Sequence, residues 1–366
     1  MNFAGEVRQA VTPRAALLVL GVLVLQLLFI ASYVGALHRP VPTDVPFGVV
    51  APPQASQQLV TDLDGLPGGP LDPRTVDDAA EARRQIMNRE IDGALVVNPT
   101  GTTDTLFVAS GGGSALATSL EKITTAAVAQ QRRTVRTVDL APASSDDFDG
   151  LSSFYLVVGW CVGGYLCASI LAISAGSRPA NLRRALIRTL VMAVYSVLGG
   201  IGGAIIVGPV LGALPGSLWG LAGLGALVVF ATGMITLALQ ALTGIVGIGL
   251  AVLIIVIAGN PSAGGAFPLP MLPDFWRAIG PALPPGAGTW VARSIAYFRG
   301  NAVTGSLLVL SAWAVAGTAL TLLLSLRHKR RHAAGTGGTD GNAGTPRPSP
   351  GTSGSTGTPP GGAHTA

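Results

Sequence analysis

Hydrophobic positions in this chain fall into long runs, and the runs bracket one stretch of ordinary soluble patterning. Residues 15–37 are apolar or small almost without exception, and about 20 such residues suffice to carry a helix across roughly 30 Å of hydrocarbon. The same density returns at 151–175, 186–211, 217–239, 242–258 and 303–326. No charge marks the turn near Gln240, but 217–258 is longer than one crossing and is read as two helices. The pattern therefore predicts an α-helical polytopic membrane protein with six transmembrane helices, one before and five after residues 38–150.

Residues 38–150 read differently. Pro40, Pro42 and Pro46 make a stiff exit from the first run, and 47–50 then has the apolar, β-branched character of a strand. A helix is predicted over 53–63, a Gly/Pro turn over 65–73 and a second helix over 75–89, with Asp77 and Asp78 suited to its first turn. Strands follow at 91–97 and 105–109, then a helix from the glycines at 111–113 to about residue 131, then a last strand at 134–140. This is a small α/β domain inserted between the first and second spans, large enough for a modest core. The Gly111–Gly113 run precedes a helix, where backbone amides can cradle phosphate. It has neither a Walker lysine nor G-x-G-x-x-G spacing, which favours a plain loop-to-helix turn.

Charge orients this scheme. The chain is +5 overall, yet residues 39–150 hold fifteen acidic against nine basic side chains, so the basic excess is not a nucleic-acid surface. It lies beside the apolar runs: Arg8 and Arg14 before the first, Arg178, Arg183, Arg184 and Arg188 after the second, and Arg327 to Arg331 after the last. Loops rich in arginine stay in the cytoplasm. Both termini (1–14 and 327–366) and the 177–188 loop are thus expected inside, with 38–150 and 259–300 outside the cell membrane. The first run is longer than a signal-peptide core and is read as an anchor, although 34–36 would pass as a cleavage site. From residue 333 onward Gly, Thr, Pro and Ser leave nothing to build a core, and a disordered tail is expected.

Residues 259–300 do not fit either pattern. Prolines at 261, 268, 270, 273, 281, 284 and 285 forbid a continuous helix. Phe267, Leu269, Met271, Leu272, Phe275, Trp276, Ile279 and Leu283 make the stretch too apolar for a solvated loop. One reading is a re-entrant segment with short helices near 273–279 and 289–298, since broken backbone at the membrane survives only under a cover of protein or cavity water. The other is an interfacial loop anchored by Trp276, Trp290 and Tyr297.

The motif Asn260-Pro261-Ser262, Gly264-Gly265, Pro268, Leu272-Pro273-x-Phe275-Trp276 and Leu283-Pro284 resembles the segment before the last span of ABC-2 type transporter permeases, closest to the phage-infection-protein-like branch. The stretches 89–97 and 109–111 are similar to the external domain of such permeases, and the order of elements agrees over residues 1–330. The resemblance implies re-entrant helices forming an outer gate at Asn260, Pro261, Pro273, Asp274, Phe275, Trp276 and Pro284. It also implies a homodimer or a heterodimer with a related permease, and a separate ABC ATPase subunit docked on Arg178, Arg183, Arg184 and Arg188.

The remaining chemistry is chiefly a matter of what is missing. No acid occurs between Asp149 and Asp274 or in the first and last spans, which disfavours ion-coupled carriers. The chain carries no nucleotide-binding motif, no metal-ligand spacing and no nucleophile–base set, so it is expected to be neither an enzyme nor a cofactor protein. Cys161 and Cys167 share no helix face and read as packing thiols. Gly159/Gly163, Gly199/Gly203 and Gly216/Gly220 have the four-residue spacing that lets helices approach closely. A lipid-like or amphipathic substrate suits so apolar a bundle in its lipid bilayer. The alternative is a non-transporting scaffold or receptor acting through its external domain.

Overall fold

The computed structural model describes residues 12–176 and 181–336. Most of the N-terminal segment expected in the cytoplasm, Arg178 and the tail beyond residue 336 lie outside the described residues. Helix α1 (Pro13–Leu37) starts at Thr12, whose hydroxyl accepts from the Ala15 amide, with Pro13 at the first helical position. It is nearly uncovered: only 6% of its most apolar window is buried. Leu17, Val19, Leu20 and Val22 are open on successive faces, which water would not tolerate and lipid would.

The middle region forms β1 (Val45–Val50), α2 (Pro53–Asp64), β2 (Leu71–Thr75), α3 (Ala79–Met87), β3 (Gly93–Val96), β4 (Thr103–Val108), α4 (Ser114–Ala129) and β5 (Thr134–Asp139). The strands make one sheet in the order β2-β1-β3-β4-β5, parallel except for the β3–β4 hairpin. Val45, Phe47, Val49, Leu95 and Leu106 pack against α2 and α4, while Val76, Ile86, Ile91, Ala94 and Phe107 form a second core on the α3 side. Two assignments need correction. Residues 71–73, read as the end of a Gly/Pro turn, and Thr75, read as the start of a helix, lie in strand β2. It tolerates Pro73 because it lies at the sheet edge, where the missing N–H breaks no ladder. Helix α3 is shorter than predicted and begins after Asp78, whose carboxylate caps the Ala80 and Glu81 amides.

The helical body comprises α5 (Ser152–Ala175), α6 (Leu182–Ile205), α7 (Leu218–Thr243), α8 (Val246–Val252), α9 (Asp274–Ile279), α10 (Pro284–Tyr297) and α11 (Thr304–Thr336). Among the described residues, five helices are long and apolar enough to cross a membrane: α1, α5, α6 with its continuation to Val210, α7 and α11. Helix α7 is the axis, with 78% of its window buried against α5, α6 and α11. The span predicted over 242–258 differs. Helix α7 runs on to Thr243, Gly244 breaks the chain at φ +71, a left-handed value suited to glycine, and α8 continues only as a π-helical stretch to Gly259. Seven α-helical and seven π-helical residues reach at most about 21 Å. Helix α11 extends past the predicted end at Leu326, into the expected tail.

The glycine pairs also need revision. On α5, Gly159 is exposed, and a Cβ there would meet nothing within 4 Å. Gly163 is half-buried, and a Cβ there would lie 3.0 Å from the Tyr195 hydroxyl, the far end of a side chain on α6 rather than its backbone. The close approach on α5 is one residue further along, at Gly164, where a Cβ would lie 2.7 Å from the Val229 carbonyl of α7. On α6, Gly199 has only an ordinary contact with the Val229 side chain at 3.7 Å, whereas a Cβ at Gly200 would lie 2.3 Å from the Ala222 carbonyl. The four-residue spacing thus found the right helices and, at Gly163 and Gly199, missed the tight face by one position. Gly203 and Gly225 are both closed by Trp160. Gly216 and Gly220 face α10 rather than a spanning helix.

Candidate functional site

Residues 259–300 fold into the junction between the sheet and the helical body. The run Asn260 to Gly265 is buried, and the Ser262 carbonyl approaches Gly280 so closely that a Cβ there would sit 2.0 Å from it. Ser32 on α1 donates to the Ile257 carbonyl, which ties the peripheral α1 to this layer. Helix α10 begins at Pro284 and Pro285, where missing amides cost nothing, and nearly all its side chains are buried. It is longer than the predicted 289–298 piece and forms part of the core with α5 and α11.

This arrangement divides the residues predicted as an outer gate. Asn260, Pro261 and Pro284 belong to the buried layer. Pro273, Asp274 and Phe275 lie on an exposed turn, where Phe275 meets the half-buried Trp276 edge-on at 5.0 Å. That turn is fastened to the segment just before β1 by Arg277, which donates to the Thr43 carbonyl at 3.0 Å and pairs with Asp274 at 2.9 Å. Of the residues predicted to dock an ATPase, Arg183 and Arg184 are exposed in the first turn of α6. Arg188 is instead buried and donates to the Gly176 carbonyl at 2.7 Å.

Two arginines that the sequence reading did not single out organise the junction. Arg293 on α10 is 3% exposed. Its Nη1 donates to the Gly264 carbonyl at 2.6 Å, and its Nη2 donates to Gly265 at 2.7 Å and Gly150 at 3.2 Å. One guanidinium thus joins α10, the 259–265 turn and the entry to α5, while its Nε has no partner. Beside it Tyr297 donates to the buried Asp147, which also accepts from the Ser152 amide at 2.7 Å. The signal was present: a lone arginine in the apolar run 289–298 is a costly residue that marks a function or a buried partner.

Arg89 comes from the sheet side, just past α3, at a left-handed φ of +59°. Its guanidinium lies 3.3 Å from the centre of the Trp290 ring and 4.8 Å from that of Phe298. Its Nη1 donates to the Trp290 carbonyl at 3.0 Å and to Ser294 Oγ at 2.9 Å. Trp290 and Tyr297, predicted as interface anchors, are therefore partners in this junction.

A cavity of about 340 Å³ opens between these groups. Pro46, Pro268, Leu269 and Pro270 give it apolar walls, and Arg89, Glu90, Asp92, Thr289 and Arg293 supply its polar surface. Burial, reinforced by the charge of Arg293, pushes Arg89 down to about 9, so it stays cationic at neutral pH. Burial pushes the Asp92 carboxyl up to about 6, against the opposing pull of Arg89. No family model, curated protein or solved structure matches the chain. The reading of this cavity therefore rests on its own geometry.

Proposed function

We propose that this chain is the membrane permease subunit of an ABC-2 type exporter that moves a lipid-like or amphipathic substrate, with the ATPase on a separate polypeptide. The observation that carries the reading is the broken segment 259–300. Its backbone is costly to keep at the membrane, yet it is folded under the sheet to wall a cavity with apolar and charged surface. Helix α8 with its π-helical continuation serves as the short sixth span, returning the chain to the outer side where the sheet lies. Wide π turns are common at functional sites, and the described residues include two, at Ile206–Val210 and Leu253–Gly259.

Arg183 and Arg184 support an inner docking face. The start of a helix disfavours cations, so their exposed position there has a cost that membrane orientation or a partner offsets. The double change Arg183→Gln, Arg184→Gln tests this: the variant is expected to insert normally and to lose co-purifying ATPase and transport. A chain that binds ligand but recruits no ATPase and moves nothing is a receptor instead, and the permease reading falls.

A further inference from the structure

We infer that the junction cavity is a site for a zwitterion: a ligand bearing an anionic oxyacid and an ammonium a few bonds apart, as in a phosphoethanolamine headgroup. The inference deepens the permease reading by naming its substrate class, and rests on that reading for transport though not for binding.

The cavity presents both signs of charge without closing them on each other. Arg89 spends Nη1 on the Trp290 carbonyl and Ser294 and makes no ion pair within 4 Å with Asp92 or Glu90, although all three line the same space. Its Nε and Nη2 are thus not engaged by a carboxylate. The stack on Trp290 fixes the plane of the guanidinium, and a fixed fork suits bidentate binding of a phosphate or carboxylate. Arg293 adds a second positive charge; its hydrogen bonds go to neutral carbonyls, and the buried Asp147 beside it, already held by Tyr297 and the Ser152 amide, offsets part of that charge. The Asp92 side chain has no hydrogen-bond donor of its own within the described residues, and the Glu90 carboxylate accepts from the Asn88 amide at 3.2 Å and feels the charge of Arg84 without pairing with it.

These charges exclude the simpler ligands. A plain anion would sit on Arg89 but against Asp92 and Glu90, and a plain cation would sit on those carboxylates but against Arg89 and Arg293. A ligand with one charge of each sign satisfies both sides. The volume is at the small end of ligand pockets, right for a headgroup rather than a whole lipid. Thr289 does not compete as a donor, since its hydroxyl is given to the Pro285 carbonyl at 2.8 Å.

The test is calorimetric titration of the purified full chain in detergent at pH 7.5, which needs no ATPase. The probes are dihexanoyl-phosphatidylethanolamine, dihexanoyl-phosphatidylglycerol and glycerophosphoethanolamine. Saturable binding of the ethanolamine lipid, about tenfold or more tighter than the glycerol lipid, is expected. Asp92→Asn, nearly the same shape, is expected to weaken the ethanolamine lipid by about tenfold and to reverse the preference toward the glycerol lipid. Arg89→Gln is expected to weaken both lipids. Comparable binding of glycerophosphoethanolamine assigns the site to the free headgroup, and binding of the acylated form alone assigns it to the lipid; either result supports the zwitterion. Equal affinity for the two lipids, an unchanged preference in Asp92→Asn, or no binding of any probe would overturn it. Binding without transport leaves the site standing and removes the permease.

Discussion

Replacing Arg293 by methionine removes a side chain that ties α10 to two other backbone segments, the 259–265 turn and the entry to α5. The carbonyls of Gly264 and Gly265 lose donors at 2.6 and 2.7 Å, and that of Gly150 loses a weaker one at 3.2 Å. A buried acceptor left unpaired costs about 1–3 kcal/mol, so the two strong ones together amount to roughly 2–6 kcal/mol. Two effects offset this: the desolvation of a guanidinium no longer has to be met, and its unpaired Nε disappears. A net loss of about 2–4 kcal/mol is expected. Arg293→Lys, which keeps the charge but lacks the fork, should fall between wild type and methionine. The assay is thermal unfolding in detergent combined with amide hydrogen exchange, where protection should fall first at 263–268 and 148–152. A methionine variant within about 0.5 kcal/mol of wild type, with unchanged exchange at those positions, would refute the claim that Arg293 joins these segments.

Three further outcomes follow from the same geometry. Asp92 titrates near 6 in the folded chain against about 3.8 in a free carboxyl, so folding binds its proton and stability falls as pH rises through that window. Arg89, Glu90 and Arg293 are the charged groups that line the cavity with it, and the two arginines stay cationic through that window. The melting temperature of Asp92→Asn should therefore gain on wild type between pH 4.5 and 7; parallel profiles would contradict the assignment. Gly200→Ala should cost about 1–3 kcal/mol or abolish folding, because the Cβ meets α7 backbone, while Gly159→Ala should be neutral in the same unfolding assay. In a background lacking Cys161 and Cys167, cysteines at the exposed Lys122 and Asp274 should react with an impermeant maleimide outside intact cells and one at Arg183 should not. Labelling at Arg183 would invert the topology.

The long helices were legible because twenty or more apolar residues with basic flanks admit few other structures. Phe47, Leu95 and Leu106 likewise announced buried strands by their run of apolar neighbours. Strand β2 was hidden, because Pro70 and Pro73 argue for a turn unless the edge position is known. The break after α7 was hidden for a different reason: neither charge nor proline marks Gly244, and only its backbone angle distinguishes it from the other glycines nearby. Adjacent glycines hid the packing face as well, since Gly163 and Gly164 look alike in sequence and only the helix rotation decides which one meets backbone. The gate residues were drawn from one contiguous motif, but the fold buries Asn260 and exposes Phe275. Arg89 and Arg293 could not be joined in advance, since they belong to different halves of the chain and come together only when Arg89 docks on Trp290 and Ser294 of α10. Each was visible singly as a charge beside an apolar run. Their convergence on one cavity is a property of the tertiary structure.

The central claim is that this chain moves an amphipathic substrate on energy supplied by a separate ATPase. The most direct measurement is transbilayer movement of a fluorescent phosphatidylethanolamine in proteoliposomes that hold the chain with the proteins co-purified on it. The account predicts movement that requires ATP and magnesium, is lost in Arg183→Gln, Arg184→Gln, and is lost again in Asp92→Asn with the ATPase still bound. Movement by the chain alone under an imposed ion gradient, without nucleotide, would contradict it.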